Sequence, residues 1–128
     1  MDEARMQELI AEHFGNAGVD EVKVQSIYTE DAVLEFPQGR ERIRGKANIH
    51  AFRTVYPAKV TVKIWRTTFA GDTWIHEGHI SYDDSAPKNT ISIWKMDGEK
   101  VMHETIYIMD PWEPPAWRAQ WVEPMTEL

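Results

Sequence analysis

The 128-residue sequence contains no cysteine. That single absence excludes a disulfide framework, a thiol nucleophile and a cysteine-ligated zinc site, and it fits a reducing compartment. Dense clusters of basic residues are also missing. Lys and Arg number 14 against 21 Asp and Glu, giving a net charge of −7. A phosphate-binding surface needs clustered cations, so this balance argues against nucleic acid and against an acidic membrane surface. The one basic stretch, Arg40-Glu41-Arg42-Ile43-Arg44, is interrupted by Glu41 and reads as a solvated hairpin. No apolar run approaches the ~20 residues of a membrane helix. The opening Met1-Asp2-Glu3-Ala4-Arg5 is acidic and unlike a signal peptide. A cytoplasmic location is the expectation. There is no glycine-rich phosphate loop, nucleophile elbow or Walker pattern, and neither a cofactor nor a metal is expected.

What the chain does have is tryptophan, six in all, and such large rings collect in cores, interfaces and ligand pockets. Its length predicts one domain over 1–128 with a single core. Met6, Leu9, Ile10, His13 and Phe14 recur at helical spacing. A second helix is predicted from Asp20 as N-cap, carrying Val22, Ile27 and Tyr28 on one face, and a third from Gly45 to Tyr56. Between them, Ala32 to Phe36 reads as a strand ended by Pro37, with a short partner over Glu41 to Arg44. Lys59 to Phe69, Thr73 to Tyr82, Asn89 to Met96 and Lys100 to Met109 then alternate as a meander. Helices first and strands afterwards predict an α+β fold, with three helices packed on one face of an antiparallel sheet. Residues 110–128 form a Trp/Pro-rich tail, expected to fold onto the body or onto a second subunit.

Glu77 and Glu104 each interrupt an apolar strand. A carboxylate on a buried face is either satisfied by a partner, with Arg66 and Arg118 as candidates, or raised in pKa and used for acid–base chemistry. His79 shares a strand face with Glu77 and could complete a dyad. His76 and His79 fall on opposite faces and make a poor metal pair. Tyr28, Tyr82 and Tyr107 could donate to a developing oxyanion, and Trp65, Trp94 and Trp117 could wall a pocket for a flat ligand. Glu35 falls on the opposite strand face from Phe36, so if Phe36 faces a pocket, Glu35 faces out. The turn at Asp97-Gly98 admits two registers. One pairs Trp94 with Val101; the other pairs Ser92 with Met102 and brings Glu104 to the Trp94 face.

The stretches "YTEDAVLEFP", "RIRGKANIHAF", "GDTWIHEGHISYD", "MDGEKVMHETIYIMDP" and "PAWRAQW" resemble the SnoaL-like branch of the nuclear transport factor 2-like superfamily. The resemblance implies a cone-shaped curved sheet around the helices, an apolar pocket at its open end, and homodimerisation through the outer sheet face. It favours the second register, with Glu104 on the pocket face beside Met102, Ile106 and Ile108. Ketosteroid isomerases of this superfamily carry a catalytic base where this chain has Phe36, an acid near Ser92 and a tyrosine near Ala11 or Glu12. All three depart from that pattern, which leaves Phe36 and Ser92 as expected pocket residues. The resulting expectation is a protein that binds a small hydrophobic or polycyclic molecule and, if it is an enzyme, an acid–base isomerase, cyclase or dehydratase working on it without a cofactor. Glu104, Glu77 and His79 are its candidate catalytic residues; Phe36, Trp65, Ser92, Trp94, Tyr107 and Trp117 are its candidate ligand contacts. The competing expectation is a non-catalytic binding or assembly module of the same fold.

Overall fold

The computed structural model describes residues 1–125, so positions 126–128 of the predicted tail lie outside the described residues. Helix α1 (Glu3–Gly15) begins at Asp2, whose carboxylate accepts the Arg5 amide at 2.8 Å. Helix α2 (Glu21–Gln25) is capped by Asp20, which accepts the amides of Val22 and Lys23. Strand β1 (Tyr28–Phe36) and strand β2 (Glu41–Arg44) form the short hairpin, and α3 (Lys46–Thr54) follows. The meander is β3 (Val60–Ala70), β4 (Thr73–Tyr82), β5 (Lys88–Asp97) and β6 (Lys100–Met109). The six strands make one curved sheet in the order β2-β1-β6-β5-β4-β3, with the N-terminal helices against it. This is the expected α+β fold.

Two details differ from the sequence reading. Helix α2 stops at Gln25, leaving Val22 exposed and Ile27 and Tyr28 outside the helix. The reason is strand pairing: the Ile27 carbonyl accepts the Val101 amide at 2.8 Å, and Tyr28 lies opposite Val101. That ladder between β1 and β6 is parallel, as a pairing across a long intervening connection allows.

Two bulges set which side chains face inward. On β3, Ile64 pairs with Gly78 and Arg66 with Glu77, so Trp65 is the extra residue. A Cβ on Gly78 would collide with the Lys63 carbonyl, so only glycine allows the two strands to approach there. On β6, Asp97 pairs with Lys100 and Met96 with Val101, yet Lys95 pairs with His103 and Trp94 with Glu104. Neither anticipated register is found. A two-residue turn, Gly98-Glu99, is followed by a bulge at Met102, and Glu104 reaches the Trp94 face by that route. Met102 itself is exposed rather than beside Glu104 in the pocket.

The core gathers Leu9, Ile10, Ile27, Tyr28, Leu34, Ile49, Trp74, Trp94 and Val101 between helices and sheet. The tail beyond β6 contains a 3-10 turn over Ala116–Trp121. Its Trp112, Trp117 and Trp121 are 77%, 74% and 71% exposed.

Candidate functional site

The inward face of the sheet and the three helices enclose a partly open cavity of about 150 Å³. Its walls are largely apolar, with Val60, Val62, Ile64, Ile80, Ile106 and Ile108 from the meander, Phe36 from β1 and Phe52 from α3. Strand alternation places the aliphatic groups. In β3, Val60, Val62 and Ile64 point in while Thr61 and Lys63 are exposed. Tyr56 and Tyr82, stacked at 6.0 Å, also line it.

At the inner end lies Glu104, 1% exposed. Its Oε2 accepts the Ser92 hydroxyl at 2.6 Å and the Trp94 indole N–H at 2.9 Å. Its Oε1 accepts the Tyr28 hydroxyl and lies 3.5 Å from Arg53 Nη2. Arg53 Nη1 in turn donates to the Tyr28 oxygen at 2.6 Å, so the phenol accepts from the arginine and donates to the glutamate. Burial alone would raise the Glu104 pKa. The Arg53 charge, the neighbouring His13 and the hydrogen bonds from Ser92 and Tyr28 outweigh it and hold the group at about 2. Glu104 is therefore an ionised, fully partnered carboxylate at neutral pH, bound to Arg53 rather than to Arg66 or Arg118. A general acid would need the opposite shift.

His13 lines the same cavity. Burial lowers its pKa to about 4 against the opposing pull of Glu104. Its Nδ1 lies 3.0 Å from the Val24 carbonyl, which can only accept, so Nδ1 carries the proton and Nε2 the lone pair. His76 is buried behind the cavity between Phe14 and Trp94, its pKa also lowered to about 4 by burial.

The anticipated site residues divide sharply. Glu104, Phe36 and Ser92 line the cavity. Trp94 is fully buried behind it and serves Glu104 through its N–H. Glu77 and His79 point to the outer face of β4, where Glu77 is paired bidentately with Arg66. Trp65 lies on the outer side as the bulge residue, its ring 4.7 Å from the Arg66 guanidinium. Tyr107 sits opposite Ile91 on the outer face, and Trp117 stands in the exposed tail. Glu35 faces outward and binds Arg42, His103 and Thr105.

Sequence reasoning overlooked Arg53, and it placed His13 only on a helix stripe. Both carried a signal: Arg53 follows Ile49, and His13 follows Leu9, by four residues on a buried helical face. Glu21, which also lines the cavity, was not anticipated at all. Among the described residues, no group of three or more His, Asp or Glu side chains could hold a metal ion. No helix among them is long and apolar enough to cross a membrane.

No protein-family model and no curated protein matches the chain. Solved structures do. An NTF-2 like protein of unknown function from Burkholderia xenovorans is 37% identical over 96% of this chain and 97% of that one, with a TM-score of 0.87. The chain thus belongs to the nuclear transport factor 2-like family. A candidate ketosteroid isomerase from Kribbella flavida shares the fold at 22% identity, 95% and 90% coverage and a TM-score of 0.81. A ketosteroid isomerase-like fold from Catenulispora acidiphila, solved in complex with trimethylamine, does so at 14% identity, 84% and 98% coverage and a TM-score of 0.70.

Proposed function

We propose that this protein binds one compact, largely apolar organic molecule in the cone, with Glu104 as a structural anchor and not as an acid or base. The observation that carries this reading is the open apolar cavity of about 150 Å³ above a carboxylate whose donors are already in place. That volume suits a single ring; polycyclic ligands generally need the ~300 Å³ or more of ordinary ligand pockets. The trimethylamine complex of the Catenulispora protein supports a small guest in this fold. The direct test is an NMR titration with a one-ring hydrocarbon such as toluene. The methyl groups of Val62, Ile80 and Ile106 should shift together, and filling the cavity with Ile80→Trp should abolish the response. Shifts confined to the exposed tail would refute the reading.

A second reading, proton transfer without a cofactor, rests on His13, a neutral imidazole with a free Nε2 at the cavity wall. In that case His13, rather than Glu104, takes the proton. Cyclohexenone should then exchange its α-hydrogens for deuterium faster than in buffer, and His13→Gln should remove the excess rate. Exchange at the buffer rate would eliminate this reading and leave binding.

Homodimerisation belongs to the same proposal. The outer sheet face carries Ile75, Ile91, Ile93 and Tyr107, and the three tail tryptophans stand exposed. A second copy covering that face would account for both. Light scattering should give twice the chain mass, and a monomer at high concentration would rule it out.

A further inference from the structure

Most donors at the inner end of the cavity are already engaged. The Ser92 hydroxyl, the Trp94 indole and the Tyr28 hydroxyl all donate to Glu104, and the Thr90 hydroxyl donates to the Tyr107 carbonyl. Neutral His13 carries its proton on Nδ1, beside the Val24 carbonyl, so its Nε2 can only accept. Arg53 is the exception. A guanidinium has five N–H donors, and among the described residues this one makes a single hydrogen bond, from Nη1 to the Tyr28 oxygen. Its Nη2 stands 3.5 Å from Glu104 Oε1, an ion-pair contact rather than a full hydrogen bond.

The unused donors are within reach of a guest. The Arg53 side chain is 16% exposed and lines the cavity. Its nitrogens are not among the sealed, unpartnered atoms of the fold, in contrast to Glu21 Oε2 and His76 Nε2. An N–H that is neither bonded nor sealed keeps accessible surface, here beside apolar walls. Its charge, however, is already answered. Glu104 is in ion-pair contact, and Glu21, also on the cavity wall, attracts the same guanidinium. The position therefore offers hydrogen-bond donors without an excess of positive charge.

We propose that Arg53 sets the specificity of the pocket, selecting an uncharged molecule whose carbonyl oxygen, as in an ester, amide or ketone, accepts the open guanidinium N–H while its hydrocarbon part packs on Val62, Ile80 and Ile106. This rests on the reading that the cavity binds a small organic molecule. A pure hydrocarbon would cover the Arg53 donors and leave them without an acceptor, which is costly. An anion would meet two carboxylates. A neutral acceptor avoids both penalties.

Three planar probes of nearly one shape separate these terms: acetophenone, α-methylstyrene, in which a methylene replaces the carbonyl oxygen, and benzoate. Each is titrated by NMR at neutral pH, following the Val62 and Ile80 methyls and the Arg53 Nε–H resonance. Acetophenone should bind about tenfold tighter than α-methylstyrene, as one hydrogen bond from a charged donor would give. It should also move the Nε–H signal downfield, and benzoate should bind weakest. The double variant Glu104→Gln/Arg53→Met removes both charges together, with an intact amide spectrum as the check on folding. In it, acetophenone should drop to the level of α-methylstyrene. A carbonyl preference that survives in this variant overturns the proposal and assigns the contact to another donor on the wall, such as Tyr56. Equal binding of acetophenone and α-methylstyrene overturns it as well, and so does benzoate binding tightest. Should the variant not fold, the wild-type Nε–H resonance decides: no shift at saturating acetophenone overturns the Arg53 role. If no probe, toluene included, moves the Val62 and Ile80 methyls, the pocket reading fails and this inference falls with it.

Discussion

On the inner face of the sheet, Glu104 is 1% exposed and accepts from Tyr28, Ser92 and Trp94 with Arg53 alongside. On the outer face, Glu77 is 25% exposed and is held by Arg66 alone. Both carboxyls titrate below their ordinary range, but for different reasons. At Glu104, burial works strongly against the charge and a whole network must overcome it. At Glu77, the hydrogen bond from Arg66 dominates and burial is a small opposing effect. A low carboxyl pKa therefore does not by itself measure how much the fold depends on the group. What matters is how many neighbours would be left unpaired if the charge were removed.

The largest effect expected from this contrast is at Glu104. Glu104→Gln leaves Arg53 buried without its carboxylate and should cost ~3–5 kcal/mol in urea unfolding. Adding Arg53→Met should recover part of that loss, because the orphaned charge is then gone. Additive losses in the double variant would contradict the network.

Acid provides the next largest effect, and it too separates the faces. His13 and His76 are buried neutral with pKa values near 4, below the ordinary 6.5. The unfolded chain takes up those protons first, so stability is lost as pH falls from 6.5 toward 4. The loss is about 3 kcal/mol per histidine. Glu104 contributes fully above its ordinary 4.5, and its contribution disappears as pH falls toward 2. The inner face should thus begin to weaken well before Glu104 protonates. Urea midpoints measured across this range should decline from the upper limit, and His76→Asn should flatten its share of the decline. A midpoint constant down to pH 4.5 would contradict the neutral histidines.

The smallest effect belongs to the outer face. Glu77→Gln breaks an exposed pair with Arg66 and should leave the urea midpoint unchanged within error. A loss comparable to that of Glu104→Gln would mean that this face is covered in solution, which would favour the dimer.

Much of the architecture can be read from local pattern. Period-2 runs locate the four meander strands to within a residue or two, and the stripe through Leu9, Ile10 and His13 marks α1. The outward orientation of Glu35 follows from its neighbour Phe36 by the same rule. Those features depend on residues adjacent in the chain. Side-chain faces beyond a bulge do not. One extra residue at Met102 turns Glu104 inward while Val101 also faces in, and composition carries no mark of it.

The network around Glu104 lies further still from the reach of pattern. Tyr28 is 76 residues away, and it meets the glutamate because β1 pairs in parallel with β6. Arg53 arrives from α3. The sequence by itself determined the fold class, the positions of α1, α3 and the meander strands and the absence of cysteine chemistry, since these follow from local periodicity and composition. Only the tertiary structure decided that Glu104 is a buried, fully partnered carboxylate and that Glu77 and His79 face outward. Burial and pairing are properties of the assembled chain, and they set the charge state of each group.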